Sequence, residues 1–160
     1  MTEPFRVLIL CTANSARSQM AEAIINHRSR GRVIAESAGT RPAARVNPWA
    51  IETLREAGIE WRGHEPRGMD ALAPQQWDAV ITVCDGAKGF CPVAPGRPVT
   101  AHWSMPDPGE VEGSDEEERE AFFEAFLTLS RRVELFLALP VQTLERRSLQ
   151  TMLRAIGTTP

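Results

Sequence analysis

The chain opens on an unbroken aliphatic run, from Arg6 to Leu10, with no polar alternation. Such a run predicts a strand covered on both faces, as in the middle of a parallel sheet. Small and polar residues follow, and then Met20, Ala21, Ala23, Ile24 and His27 recur at helical spacing, which predicts a helix over 18–28. Val33 to Ser37 reads as a second strand, stopped by Ala38-Gly39-Thr40. Asn47 followed by Pro48 is a cap and first-turn signature, with Ile51 and Leu54 at helical spacing behind it and Gly58 as the stop. "DAVITVC", from Asp78 to Cys84, is a third buried strand, and Pro98 to Trp103 a fourth and weaker one. Ser114 and Glu117 form a capping box before a long helix whose Phe122, Phe126, Leu129, Val133 and Phe136 recur at steps of three and four up to Pro140. A last helix is expected over 144–156, carrying Leu149, Met152, Leu153 and Ile156 ahead of Gly157. Strands alternating with helices predict an α/β fold: a single domain with a central four-stranded, mainly parallel sheet flanked by helices.

Composition narrows the class. The 160 residues are 42% hydrophobic and 24% charged with a net charge of -3, the profile of an ordinary globular domain with a substantial core. The acidic balance gives no footprint for nucleic acid. No apolar stretch approaches the ~20 residues that span a bilayer, and "MTEPFRV" has no signal-peptide pattern, so no membrane partner and a cytoplasmic location are expected. The charge run from Glu110 to Glu120 reads as a solvated loop and an acidic first helical turn. Three cysteines, Cys11, Cys84 and Cys91, are too few and too odd for a disulfide framework and point to free or reactive thiols.

The chemistry starts in "LILCTANSARSQM". A loop between a buried strand and a helix N-terminus turns its backbone N–H groups inward, where the helix dipole adds positive charge, so residues Thr12, Ala13, Asn14, Ser15, Ala16, Arg17 and Ser18 form a candidate oxyanion cradle. Arg17 adds planar, bidentate donors matched to phosphate or arsenate. Cys11 in that field is expected to ionise below the ordinary thiol range of about 8.5 and to act as nucleophile. Ser18 can donate its hydroxyl to that sulfur, and Asn14 can hold the loop's shape. A plain buried cysteine is the bland alternative, and the strand, loop and helix around Cys11 weigh against it.

"CTANSARSQMAEA" resembles the phosphate-binding loop and first helix of the low-molecular-weight protein tyrosine phosphatase superfamily, and most closely its arsenate reductase branch. The resemblance runs from about Arg6 to Pro140, through "SAGT", "VNPWAIETLREAGI", "VCDGAKGFCPV" and "HWSMPDP", which sets off residues 141–160 as a C-terminal helical extension. Asp107, in a loop bracketed by Pro106 and Pro108, would pass as a turn residue by itself; the resemblance implies that it is the general acid. Cys84 and Cys91 flank a segment with two glycines, and their spacing is not that of a zinc site, so no metal is expected. They are either inert thiols or a relay in which Cys84 attacks a Cys11 adduct and Cys91 then attacks Cys84. In thioredoxin-coupled arsenate reductases the matching cysteines form that relay, which implies an external dithiol reductant, thioredoxin or a glutaredoxin, and no bound cofactor. Several reductases of this branch carry a further cysteine where this chain has Ala16, outside the relay. Some relatives hold potassium through residues matching Asn14, Glu22 and Ser37 and a further carboxylate; in "HEPRG" Arg67 stands near that carboxylate's place and can supply positive charge instead.

Two other readings compete. A phosphatase acting on phosphomonoesters through a phosphocysteine would use Cys11, Arg17 and Asp107 in the same way, but needs neither Cys84 nor Cys91. It would also be expected to carry aromatic residues beside Asp-Pro, where this chain has Gly109 and no tyrosine anywhere. An arsenic sensor without turnover would need a basic or DNA-reading face that the composition does not supply. In the extension, Arg146, Arg147 and Arg154 are expected to be the solvated face of a packed amphipathic helix.

Overall fold

The computed structural model describes residues 3–72, 76–84 and 98–160. Four strands, β1 (Phe5–Cys11), β2 (Val33–Gly39), β3 (Ala79–Thr82) and β4 (Val99–His102), form one sheet in the order β2-β1-β3-β4, all parallel. Helices α1 (Arg17–Arg28), α2 (Pro48–Glu56), α3 (Asp115–Leu137) and α4 (Arg146–Ile156) flank it. The aliphatic run of β1 is central, and Val7, Leu8, Ile9 and Leu10 are fully buried between the helix layers. That position explains its lack of alternation. No helix among the described residues is long and apolar enough to cross a membrane.

The chain leaves β1 for β2 on one side and later crosses to β3 on the other, so the carboxyl ends of β1 and β3 meet at a topological switch point, where α/β sheets hold ligands. Leu10 pairs with Thr82 in that ladder, which puts Cys11 and Cys84 at neighbouring strand ends. Cys84, expected to close β3, lies two residues past it, because β1 turns into its loop at Cys11 and offers no further ladder.

Most caps follow the sequence. The Asn47 side chain accepts from Trp49 N at 2.9 Å, and Ser114 and Glu117 satisfy each other's backbone N–H groups at the start of α3. Phe122, Phe126, Leu129, Val133 and Phe136 are all buried. His27 and Met152 depart from their predicted stripes and are exposed; the buried face of α1 runs through Met20, Ala21, Ile24 and Ile25, and that of α4 through Leu149, Leu153 and Ile156.

β4 is an edge strand, and α4 covers its open side. Gln150 accepts from Thr100 N at 3.1 Å, Arg154 Nε donates to Thr100 O at 3.1 Å, and Arg146 donates to Pro98 O at 3.1 Å. Arg146 and Arg154 are therefore more than a solvated face: exposed as they are, they complete the hydrogen bonding of a sheet edge.

Candidate active site

Residues 12–16 form the loop between β1 and α1, and their peptide orientation is fixed from outside. Cys11 O accepts from Thr40 N, Thr12 O from Arg41 N, Ala13 O from Ala43 N, Ser15 O from Asn47 N, and Asn14 O from the Gln19 amide. With the carbonyls drawn outward, planar peptides turn the N–H groups toward the centre. No acidic residue stands in the first turn of α1, so the helix N-terminus leaves its positive end to the same space. Asn14 takes a left-handed backbone conformation with φ 53°, a strained choice that Asn tolerates best among non-glycine residues. Its amide donates to Ser18 Oγ at 2.8 Å and Ser37 Oγ at 3.0 Å, and its oxygen accepts from Arg67 N at 3.1 Å.

Two thiols meet beside this cradle. Cys11 and Cys84 are buried and share a hydrogen bond, and Thr12 Oγ1 lies 3.1 Å from Cys84 Sγ. The Cys11 thiol is raised above its ordinary range, first by the hydrogen bond with Cys84 and then by burial, while Arg17 and the Thr12 N–H pull the other way. This reverses the expectation for Cys11 alone: two sulfurs sharing one proton cannot both ionise cheaply, so the second proton of the pair is held tightly. Arg17 and the Thr12 N–H favour the first charge of the pair on Cys11. Cys91 lies outside the described residues.

Arg17, itself buried, joins the cradle to the Asp-Pro loop. Its Nη1 donates to Met105 O at 3.0 Å, its Nη2 lies 3.4 Å from Asp107 Oδ2, and its buried Nε has no hydrogen-bond partner among the described residues. An oxyanion fits such a donor set, with the loop N–H groups on one side and a guanidinium on the other. The other oxygen of Asp107 accepts from Gly109 N at 2.9 Å, so the carboxylate is oriented at both ends.

A profile of the low molecular weight phosphotyrosine protein phosphatase family matches residues 6–149, with this cradle near its start. The chain belongs to that family. Among its relatives, an arsenate reductase of Halalkalibacterium halodurans is 34% identical over 130 residues, covering 81% of this chain and 93% of the relative. The structure of an arsenate reductase in its phosphate-binding state superposes with a TM-score of 0.62 at 28% identity, covering 84% of this chain and 97% of the other. That of a thioredoxin-dependent arsenate reductase from Corynebacterium glutamicum superposes at 0.57 with 29% identity, covering 84% of this chain and 65% of the other.

Several supports of this phosphatase-family loop escape a reading of the sequence. Gly39 ends β2 directly opposite Cys11, and a Cβ there would lie 2.5 Å from Thr12 O and 3.1 Å from Asn14 N. A Gly39→Ala variant is therefore expected to push the cradle out of shape and lower turnover about tenfold or more, against about 1–3 kcal/mol of stability; steady-state rates beside denaturant melts separate the two effects. Gln19 spans the Asn14 and His64 carbonyls, binding the strap over 61–67 to the loop. Arg67 Nε donates to Ser37 O at 3.1 Å, so its positive charge sits beneath Asn14.

Half-buried His64, on the same strap, pairs with buried Glu22. His64 Nε2 lies 3.1 Å from Glu22 Oε1, and Nδ1 lies 2.8 Å from Glu65 O, an arrangement that suits a ring protonated at both nitrogens. Burial opposes the charge, but the bond to Glu22 and the Glu65 carbonyl outweigh burial and the repulsion of Arg67, and His64 is raised above its ordinary 6.5. The pair's stabilisation is thus complete below pH ~6.5 and lost as pH climbs through the higher folded-state value. His64→Gln should cost about 1 kcal/mol more at pH 6 than at pH 9 in chemical denaturation.

Trp49 is the other surprise. It lines a groove of about 230 Å³ with Pro108 and Gly109, held by a 2.9 Å bond from its Nε1 to Glu118 and by Arg119 stacked 5.5 Å from its ring. The aromatic neighbour that the Asp-Pro sequence lacks comes from α2.

Proposed function

We propose that this protein is an arsenate reductase that uses Cys11, Cys84 and Cys91 as a thiol relay, regenerated by a thioredoxin-type dithiol protein. One observation carries the reading: the β1–β3 register brings Cys84 beside Cys11, a second sulfur that phosphoester hydrolysis has no use for. The arsenate reductases among the relatives, one of them thioredoxin-dependent, support it.

In the proposed sequence the N–H groups of the loop over 12–18 and Arg17 hold arsenate. The Cys11 thiolate attacks arsenic, and an As–O bond breaks with Asp107 protonating the departing oxygen, so that water leaves. Ser18, whose oxygen already accepts from Asn14, offers its O–H to the Cys11 sulfur in the last step, where that sulfur departs from Cys84 as thiolate. Cys84 then attacks the Cys11 sulfur; an S–S bond forms, the S–As bond breaks, and its electron pair stays on arsenic, which departs as arsenite. Cys91 attacks Cys84 and frees Cys11 as thiolate, leaving a Cys84–Cys91 disulfide for the external dithiol. The electrons come from thiols, so the reaction calls for no bound cofactor or metal, and a cytoplasmic location would keep the reductant at hand.

Trp49 beside Pro108 and Gly109 of the Asp-Pro loop favours slow hydrolysis of aryl phosphates as a side reaction of the same cradle. The test is arsenate turnover coupled to thioredoxin and its reductase, run beside aryl phosphate hydrolysis, with peptide mass analysis of the cysteines. Arsenate-dependent oxidation of the reductant and a Cys84–Cys91 disulfide are expected. Aryl phosphate hydrolysis with no response to arsenate and no disulfide would overturn the reductase reading in favour of the phosphatase.

A further inference from the structure

Arg132 is a buried cation at 5% exposure on α3, and no carboxylate among the described residues pairs with it. Its fork is spent on two carbonyls: Nη1 donates to Ser104 O at 3.0 Å, while Nε and Nη2 both donate to Thr159 O, at 3.2 and 3.1 Å. Burying a guanidinium is costly, and a site that satisfies it only with carbonyls ties those carbonyls strongly in place. Ser104 lies three residues before Asp107.

The same stretch is gripped twice more by the C-terminal segment. Trp103 is fully buried, and its Nε1 donates to Leu153 O at 2.9 Å. Gly157 packs so tightly on His102 that a Cβ there would lie 2.3 Å from the His102 carbonyl oxygen. Three successive residues leading to the acid loop are thus set from behind: His102 and Trp103 by residues 153–157, and Ser104 by Arg132, which Thr159 O in turn holds. Arg17 holds the next carbonyl, that of Met105, from the front.

We infer that residues 153–159, acting through Arg132, are a positioning element for Asp107: they fix the height of the Asp-Pro loop over the oxyanion cradle, with Arg132 as the positioning residue. This rests on the reading of Asp107 as general acid. A loop pinned on one side by Arg17 alone could swing with that side chain; pinned on both, it holds its carboxylate where a departing oxygen must be protonated.

The experiment compares Arg132→Gln, Arg132→Lys and a chain lacking residues 158–160 with the intact protein. The truncation removes Thr159 O but no buried side chain, which keeps a test available if Arg132→Gln folds poorly. Amide exchange across 104–110 is expected to quicken about tenfold or more in Arg132→Gln and in the truncated chain while β1 keeps its protection. Steady-state arsenate reduction should fall about tenfold in kcat with KM unchanged, and Arg132→Lys, which keeps one donor for Ser104 O, should recover part of it. Asp107→Asn added to Arg132→Gln should cost less than it does in the intact protein, because one residue acts through the other. Unchanged exchange at 104–110, or losses that simply multiply, would overturn the positioning role. If Asp107→Asn alone leaves the rate intact, the acid assignment fails, and the exchange measurement still decides whether the tail holds the loop.

Discussion

Cys84→Ser is expected to abolish arsenite production, by about a thousandfold or more, while aryl phosphate hydrolysis stays within about threefold of the parent. The hydroxyl can keep the hydrogen bond to Thr12 but cannot form the S–S bond through which electrons reach arsenic. A Cys11 adduct would then form and simply hydrolyse. A second signature follows from the thiol pair. Cys84 is the foremost cause that raises Cys11, so removing its sulfur lowers Cys11 toward its ordinary range, with burial still opposing the pull of Arg17 and the Thr12 N–H. Alkylation of Cys11 at neutral pH should therefore quicken in the variant even as reduction stops, since the thiolate is the reacting form. A Cys84→Ser protein that reduced arsenate as fast as its parent would exclude the relay.

The parts of this site that are local in sequence are readable there. The strand before Cys11, the small residues of the loop, Arg17 and the helix behind it lie within one stretch whose periodicity switches from strand to helix, and the structure assembles them in that order. The Asn47 and Ser114 caps are likewise short-range patterns with short-range causes. What escapes is whatever depends on strand order. Cys11 and Cys84 lie 73 positions apart in the chain, and only the β1–β3 register makes them one titrating pair. Seen alone, Cys11 has only the loop and Arg17 around it, and the predicted shift has the wrong sign.

Charged and polar residues mislead for the same reason. Glu22 on α1 and Arg132 on α3 look like members of solvated helix faces, yet both are buried, one under His64 and the other between two carbonyls. A hint for Glu22 is the density of small and apolar residues around it in "SQMAEAII", which leaves the first turns of α1 no free face. Nothing comparable marks Arg132, whose partners come from the acid loop and the end of the chain. Trp49 reaches the Asp-Pro loop from 59 residues upstream of Pro108, so a search of neighbouring sequence for an aromatic residue finds none.

Arg17 unites the two halves of the site, and its variants should separate charge from geometry. Arg17→Lys retains a positive charge near Cys11 but loses the fork that reaches Met105 O and Asp107 together. Arsenate reduction and aryl phosphate hydrolysis are both expected to fall about a hundredfold to a thousandfold, the scale of a lost oxyanion donor, with Cys11 alkylation only modestly slowed. Arg17→Gln removes the charge as well. Because Arg17 is what draws the Cys11 thiol down against Cys84 and burial, its loss lets that thiol rise further, and alkylation should slow sharply along with both activities. The contrast with Cys84→Ser is one of sign: that variant loses one activity and gains thiol reactivity, whereas Arg17→Gln loses all three. If Arg17→Lys kept full activity toward both anions, a point charge would suffice, and the bidentate grip on a tetrahedral oxyanion would have to be abandoned.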